Sequence, residues 1–398
     1  EGITVLELSF IVAGPTAGMI LGDMGANVIK IEPPDAMQPS RIGTDRTGSF
    51  FFVNRNKRSL VIDLKMDEGR DLFYKLADGA DVVVENMGPG TMERLGIGYE
   101  QVSSHNPRII YCSVKGFLSG PYSDRTLLDE PAEMMSGLAY MTGPLGQPLR
   151  VGASVVDIGA ATYAVTGVLG ALLQRHETGR GQKITGGLFE TALFWVGQHM
   201  AQTQTTGEPP VPTPERKRRS GGGGWTVYDL FDCADDRRVF IAVTSDAQWK
   251  RFCQALGLDD LLNDPELATN RERRVNRDRY LPRVAETLRS MKLDEVTDLL
   301  LSTGASVAPL HTPQDVLEDA HVNAEHRLLD VQAGDIQLRL PPLPYESSDY
   351  HFLNRVGPPH LPGLHTREVL TENGYTSVQI DEMLRTGVVK DSEGFASS

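Results

Sequence analysis

The chain has 398 residues, 40% hydrophobic and 23% charged, which is too long for one small core and fits an ordinary globular protein of two domains. A formal net charge of -14 argues against a general nucleic-acid binder, and the lack of an uninterrupted apolar run of roughly 18 residues argues against a membrane span. Cys112, Cys233 and Cys253 are odd in number and far apart, which excludes a disulfide framework and fits a reducing, cytoplasmic setting. No Cys-x-x-Cys or His-x-x-x-His pair suggests zinc, and the opening residues lack the basic and apolar regions of a signal peptide.

Residues 3–8 read as a buried strand, followed by the turn Val12-Ala13-Gly14-Pro15 and a helical run over 16–24. Gly25-Ala26-Asn27 breaks the helix, and 28–32 is a second strand, making a parallel β-α-β unit. Glu32 ends that strand where a dinucleotide enzyme holds a ribose. The first turn, however, reads Ala-Gly-Pro-Thr-Ala-Gly instead of G-x-G-x-x-G, so NAD binding is poorly supported. Basic residues in 54–58 precede a third strand. A helix over 68–79, a strand at 82–84 ending in Glu85-Asn86, a short helix around 92–95 and a strand over 108–115 follow. The alternation predicts an open, mostly parallel sheet, with ligands gathered at the carboxyl ends of its strands, where Asn86 falls.

Asp157 closes a short apolar run at 153–156 and opens a long helix whose apolar residues, from Ala160 to Leu173, recur at helical spacing until Gly179. A carboxylate at a helix start is expected to receive backbone N–H groups and the positive end of the helix dipole, which keep it ionised. On position alone Asp157 reads as an ordinary N-cap. A strand at 182–185 and a helix over 188–206 precede a linker at 207–224 with four prolines, the basic cluster Arg216-Lys217-Arg218-Arg219 and four glycines at 221–224. Paired strands at 226–231 and 238–243, helices at 245–256, about 278–291 and 293–303, and a strand at 307–310 make a smaller α+β region. The tail returns with strands in 328–341 and two helices in 366–386. The expected division is 1–200, a linker at 201–224, a small domain at 225–318, and 319–398 returning to the large domain. These residues by themselves support a two-domain α/β enzyme and nothing sharper.

The blocks AGPTAGMILGDMGANVIKIEPP, NRNKRSLVIDLK, DVVVENMGPGTMERLG, NPRIIYCSVKGF, HETGRGQKITGGLFETAL and LPGLHTREVL occur in that order across nearly the whole chain. Together they resemble the family III CoA transferases, the CaiB/BaiF group that includes formyl-CoA and carnitine CoA-transferases. The resemblance implies an α/β fold: a large Rossmann-like parallel-sheet domain built from both chain ends, with a smaller inserted α+β domain, and two chains interlocked as a homodimer. It implies coenzyme A and acyl-CoA as substrates with small carboxylic acids, no permanently bound cofactor, and no metal, nucleic acid or membrane.

By the same resemblance Asp157 is the nucleophile, acylated by the donor thioester and then carrying CoA itself. Gly222 and Gly223 belong to a glycine-rich loop that shields the anhydride from water; by composition alone the loop is also a plain flexible linker. The CoA contacts fall on Val12 and Ala13 in the first turn, on Ile62 and Lys65, on Asn86, Met87 and Gly88 at a strand end, and on Arg94. Lys65 and Arg94 equally fit solvated helix-flank charges. Valine at position 12 cannot hydrogen-bond a substrate, which argues against a formyl or oxalyl group. Asp129 matches an acidic active-site residue, or is a surface charge. An α-methylacyl-CoA racemase needs a His-Asp pair where this chain has Leu128-Asp129, and leucine cannot move a proton. A non-catalytic CoA-binding subunit would need neither Asp157 nor the glycine loop.

Overall fold

The computed structural model describes residues 2–35, 47–214, 225 and 227–396. Its contacts separate two compact units, one of Glu1–Ala139, Arg150–Thr206 and Ala324–Ser398, the other of Tyr140–Leu149 and Gly207–Asn323. Residues 140–149, assigned above to the large region, group with the smaller unit.

The large unit is built on seven strands: β1 (Thr4–Leu8), β2 (Asn27–Glu32), β3 (Lys57–Ile62), β4 (Val82–Glu85), β5 (Ile110–Lys115), β6 (Lys183–Gly187) and, near the far end of the chain, Val389–Lys390. Their order in the sheet is Val389–Lys390, β3, β2, β1, β4, β5, β6. The first six are mutually parallel and Val389–Lys390 runs antiparallel to β3. Among the described residues nine helices occur in chain order up to residue 206: α1 (Ala13–Asp23), α2 (Thr47–Asn54), α3 (Asp67–Asp78), α4 (Thr91–Arg94), α5 (Tyr99–His105), α6 (Asp129–Ser136), α7 (Leu138–Thr142, most of it in the smaller unit), α8 (Val155–Thr178) and α9 (Leu188–Thr206).

A sheet covered on both faces needs strands that are apolar on both, and the side chains alternate between two cores. Val5, Val28, Val82 and Ile110 pack with α1, α6, α8 and α9, whereas Leu6, Ile29, Val83 and Tyr111 pack with α3, α5 and the two helices Thr366–Glu372 and Ser377–Thr386. The expected helix at 16–24 begins three residues earlier, because proline is tolerated in a first turn where its missing N–H costs nothing. Helix α6 was not anticipated from the sequence, and it matters most for the site.

The glycines of the first motif serve packing. Gly14 and Gly18 lie four apart on one face of α1. A Cβ on Gly18 would fall 1.7 Å from Glu7 Oε2, and one on Gly14 would fall 2.4 Å from Ser9 Cβ. Under α1 lies a buried ionic cluster, with Glu7 paired to Lys30 at 2.9 Å and to Lys57 at 2.7 Å. Burial works against the Glu7 charge, but the two lysines outweigh it and hold the carboxyl below its ordinary range. Burial pushes Lys57 down to about 7, with Glu7 opposing. Arg55 is likewise buried on Asp23 at 2.7 Å. The basic run before β3 is therefore spent largely inside the fold.

In the smaller unit β7 (Val227–Asp232), β8 (Arg238–Val243) and β9 (Ser306–Pro309) form an antiparallel sheet in the order β7, β8, β9. Helices Asp246–Leu256, Arg277–Arg289 and Leu293–Leu301 close a core of Trp249, Phe252, Tyr280, Val284, Leu288, Val296 and Leu300. Ser245 caps the first of these by accepting the Gln248 N–H. Strands Leu329–Ala333 and Ile336–Leu340, in the large unit, make a hairpin through Gly334-Asp335.

Helix α8 is a core helix despite its length and composition. At 24 residues it is, among the described helices, long and apolar enough to cross a bilayer by length and composition. Its Ala160, Ala164, Val168 and Ala171 are buried against the sheet side, while Ile158, Tyr163, Leu169 and Leu173 on the opposite side are exposed. One stripe packed in a core marks a domain helix.

Candidate active site

Strand β1 lies between β2 and β4, so the chain leaves the sheet in opposite directions on its two sides. The carboxyl ends there form the crevice in which sheets of this order bind ligands. Asn86, just past β4, spans it. Its Oδ1 accepts the Phe10 N–H at 3.0 Å and its Nδ2 donates to the Phe10 carbonyl at 2.9 Å. The next residue, Ile11, holds a left-handed φ of 66° and is 60% exposed, a conformation that a β-branched residue adopts only when neighbours impose it. Asn86 is thus engaged with the β1–α1 turn.

The other expected CoA contacts divide by exposure. Ala13 is buried in the core shared by α1 and α8, which leaves its backbone for a ligand, and Val12 is the residue before α1. Ile62 is fully buried between β3 and its covering helices, so its side chain cannot touch a ligand. Lys65 is exposed past β3, and its N–H is held by Asp63 Oδ1 at 3.0 Å. The Met87 N–H donates to Glu85 Oε2 at 2.8 Å and its carbonyl accepts from Lys115 Nζ at 2.7 Å, while Lys115 also pairs with Glu85 at 2.7 Å. Lys115, passed over in the sequence as a strand end, is what fixes this loop. Gly88 is exposed, and Arg94 is exposed with Nη2 on Thr91 Oγ1 at 2.9 Å. Gly222, Gly223 and the basic cluster at 216–219 lie outside the described residues.

The start of α8 departs from expectation in an instructive way. Asp157 does not cap the helix. It is the third helical residue, and no hydrogen bond to its carboxyl is found among the described residues. Ser154, directly before the helix, makes no side-chain cap. The acceptor comes from α6: Asp129 Oδ2 receives the Val156 N–H at 2.9 Å and the Asp157 N–H at 3.1 Å. Asp129 therefore takes the place at the helix dipole expected for Asp157. Arg150 Nη2 lies 3.4 Å from Asp129 Oδ1, with its side chain 42% exposed.

Denied those N–H groups, Asp157 is not held ionised. Burial, and next the charge of Asp129, push its carboxyl up to about 7, with Arg150 opposing. A third carboxyl, Glu133, lies one turn along α6 from Asp129 and is fully buried, with Oε2 accepting the Val151 N–H at 2.8 Å. Nothing local singled it out; only the four-residue spacing from Asp129 could have done so. The result is a part-exposed, weakly acidic carboxyl at the carboxyl edge of the sheet, poised near neutrality beside one cation. Such a group suits nucleophilic or proton-transfer chemistry.

Residues 1–366 match CoA-transferase family III. The chain is 33% identical over 410 residues to succinyl-CoA:glutarate CoA-transferase of Mus musculus, covering 99% of this chain and 91% of that protein. It is 31% identical to succinyl-CoA–D-citramalate CoA-transferase of Chloroflexus aurantiacus, over 94% of this chain and 93% of that one. Among solved structures, a CAIB/BAIF family protein from Brucella suis superposes with a TM-score of 0.83 at 29% identity, over 94% of this chain and 98% of that one. The mixed α/β fold with its mostly parallel seven-stranded sheet is shared with that protein.

Proposed function

Because the chain belongs to CoA-transferase family III, and so transfers CoA using CoA thioesters and carboxylic acids as substrates, we propose that it does this covalently through Asp157. The observation that carries this reading is the lone, part-exposed Asp157 carboxyl raised to about 7 at the start of α8, with its backbone fixed by Asp129. The Asp157 carboxylate attacks the donor thioester carbon, the C–S bond breaks, and an anhydride and CoA thiolate result. The thiolate attacks the Asp157 carbonyl and expels the donor acid, leaving an aspartyl-CoA thioester. The acceptor carboxylate attacks that thioester, freeing the thiolate and forming a second anhydride. Attack of the thiolate on the acceptor's carbonyl then yields the new acyl-CoA and restores Asp157.

The electrostatics favour this order. Burial and Asp129 both disfavour a charge on Asp157, and acylation removes that charge, so the surroundings that raise the pKa also favour the anhydride and thioester. Asn86 and Lys115 support the reading by holding the loops at the crevice, with the exposed Gly88, Arg94 and Lys65 as CoA contacts. The names of the relatives make succinyl-CoA and short dicarboxylates the first substrates to try.

Incubation with an acyl-CoA should leave CoA on the peptide that contains Asp157, read as a mass increase. The yield should fall as pH drops below about 7, because protonation removes the nucleophile. An adduct on another residue, or a yield indifferent to pH between 5 and 8, sinks the assignment.

The outer side of α8 supports the expected pairing of chains. Leu173 is 75% exposed, and Tyr163 meets Phe194, 71% exposed, edge to face at 5.7 Å. Apolar area of that kind is costly in water, and a second copy presenting the same stripe is the occupant this proposal names. Light scattering should give twice the mass of one chain, and two differently tagged populations should not exchange chains under native conditions if the dimer is interlocked. A one-chain mass removes the pairing; rapid exchange removes the interlocking.

A further inference from the structure

Glu133 takes part in no step above, yet it is the most enclosed carboxyl beside the site. Its side chain is fully buried, Oε2 accepts the Val151 N–H at 2.8 Å, and Oε1 is buried with no hydrogen-bond partner. A bare carboxylate oxygen in that position carries its full desolvation cost, whereas a carboxylic acid has a hydrogen to give. We propose that Glu133 is a positioning residue: in its protonated form it clamps α6 to the segment before α8 through Val151 and directs the Oε1 hydrogen to Asp129, fixing the acceptor that holds the Val156 and Asp157 N–H groups.

The groups that act on Glu133 come from two elements. Asp129 lies on α6 itself, and Arg150 with the Val151 N–H lies on the segment before α8; α9, which also packs on α6, contributes none of the charges acting on it. Burial pushes its carboxyl above the ordinary range. The Val151 N–H opposes this and Asp129 adds to it. Two neighbouring buried carboxyls do not both ionise readily. Asp129 already accepts two backbone N–H groups and lies beside Arg150, so the hydrogen between the two side chains belongs on Glu133. The neutral acid also ties down Val151, the residue after Arg150, so one side chain sets both the cation and the helix start.

This inference rests on the reading of Asp157 as nucleophile, and two variants test it separately from that reading. At neutral pH the infrared difference between wild type and Glu133→Gln should show the C=O band of a protonated carboxyl, which Asp157→Asn should leave in place. Glu133→Gln offers the same acceptor and donor, so kcat at pH 7 should stay within about threefold of wild type. It should also hold its rate as pH rises, whereas the wild type declines once Glu133 ionises beside Asp129. Glu133→Leu should lose about tenfold or more in kcat with KM little changed. Absence of the band, a Gln variant as impaired as the Leu variant, or a Leu variant matching wild type overturns the proposal. Should Glu133→Leu fail to fold, the band and the pH profile of Glu133→Gln decide.

Discussion

Asp157→Asn should lower turnover by about ten-thousandfold or more while leaving acyl-CoA affinity within severalfold of wild type. The amide keeps the size of the side chain and the helical backbone, and the Asp157 N–H still reaches Asp129, so only the nucleophile is removed. The same substitution should stabilise the protein, and the sign follows from the raised acidity constant. Below about pH 4 the carboxyl is protonated in both folded and unfolded chains and contributes nothing. Between there and about 7 the unfolded chain releases the proton more readily, so wild-type stability falls as pH rises through that window. The amide does not titrate. Its advantage in thermal melts should therefore grow from pH 4 to 8 and level off at about 2 kcal/mol, roughly half the full value because solvent reaches the carboxyl. Loss of both activity and stability would make Asp157 a structural residue; retained turnover would end the covalent mechanism.

Gly14→Ala should cost about 3 kcal/mol of stability and raise the KM for acyl-CoA. The new methyl would lie 2.4 Å from Ser9 Cβ and 2.9 Å from Asn86 Cγ, and neither neighbour can retreat. Ser9 Oγ donates to Glu7 inside the buried ionic cluster at 2.8 Å, and Asn86 is held twice by Phe10. Relief must come from lifting α1 off the sheet, which moves the turn at the crevice. Gly48→Ala is the control: nothing lies within 4 Å of its Cβ, and it occupies an exposed position in the first turn of α2, so it should be neutral or slightly stabilising. Equal melting temperatures for Gly14→Ala and wild type would show that the close approach is not required.

The alternation of strands and helices was legible because a parallel strand covered on both faces becomes a short apolar run, as at Val82-Val83-Val84. The carboxyl-end location of Asn86 followed from that alternation. The capping of α8 was not legible. Local rules look for an acceptor next to the helix, and here Ser154 stands idle while Asp129, 27 residues before Val156, supplies it. Helix α6 itself was obscured by Pro131 and by the run of charged residues at 129, 130 and 133, and no local pattern reveals the burial of Asp129 and Glu133. The expectation that Asp157 stays ionised failed for the same reason: its pKa is raised first by burial and then by Asp129, and only the fold supplies either. Ile62 shows the converse, since a motif position need not point its side chain outward.

Strand Val389–Lys390 closes the β3 edge of a sheet whose other strands are complete by residue 187. On a ribosome adding about 5–20 residues each second, that edge stays open for some tens of seconds after the rest of the sheet can form. The unpaired N–H and C=O groups of β3 are, in that interval, available to any other emerging chain. Strand Val389–Lys390 thus acts as a guard against mispairing at birth.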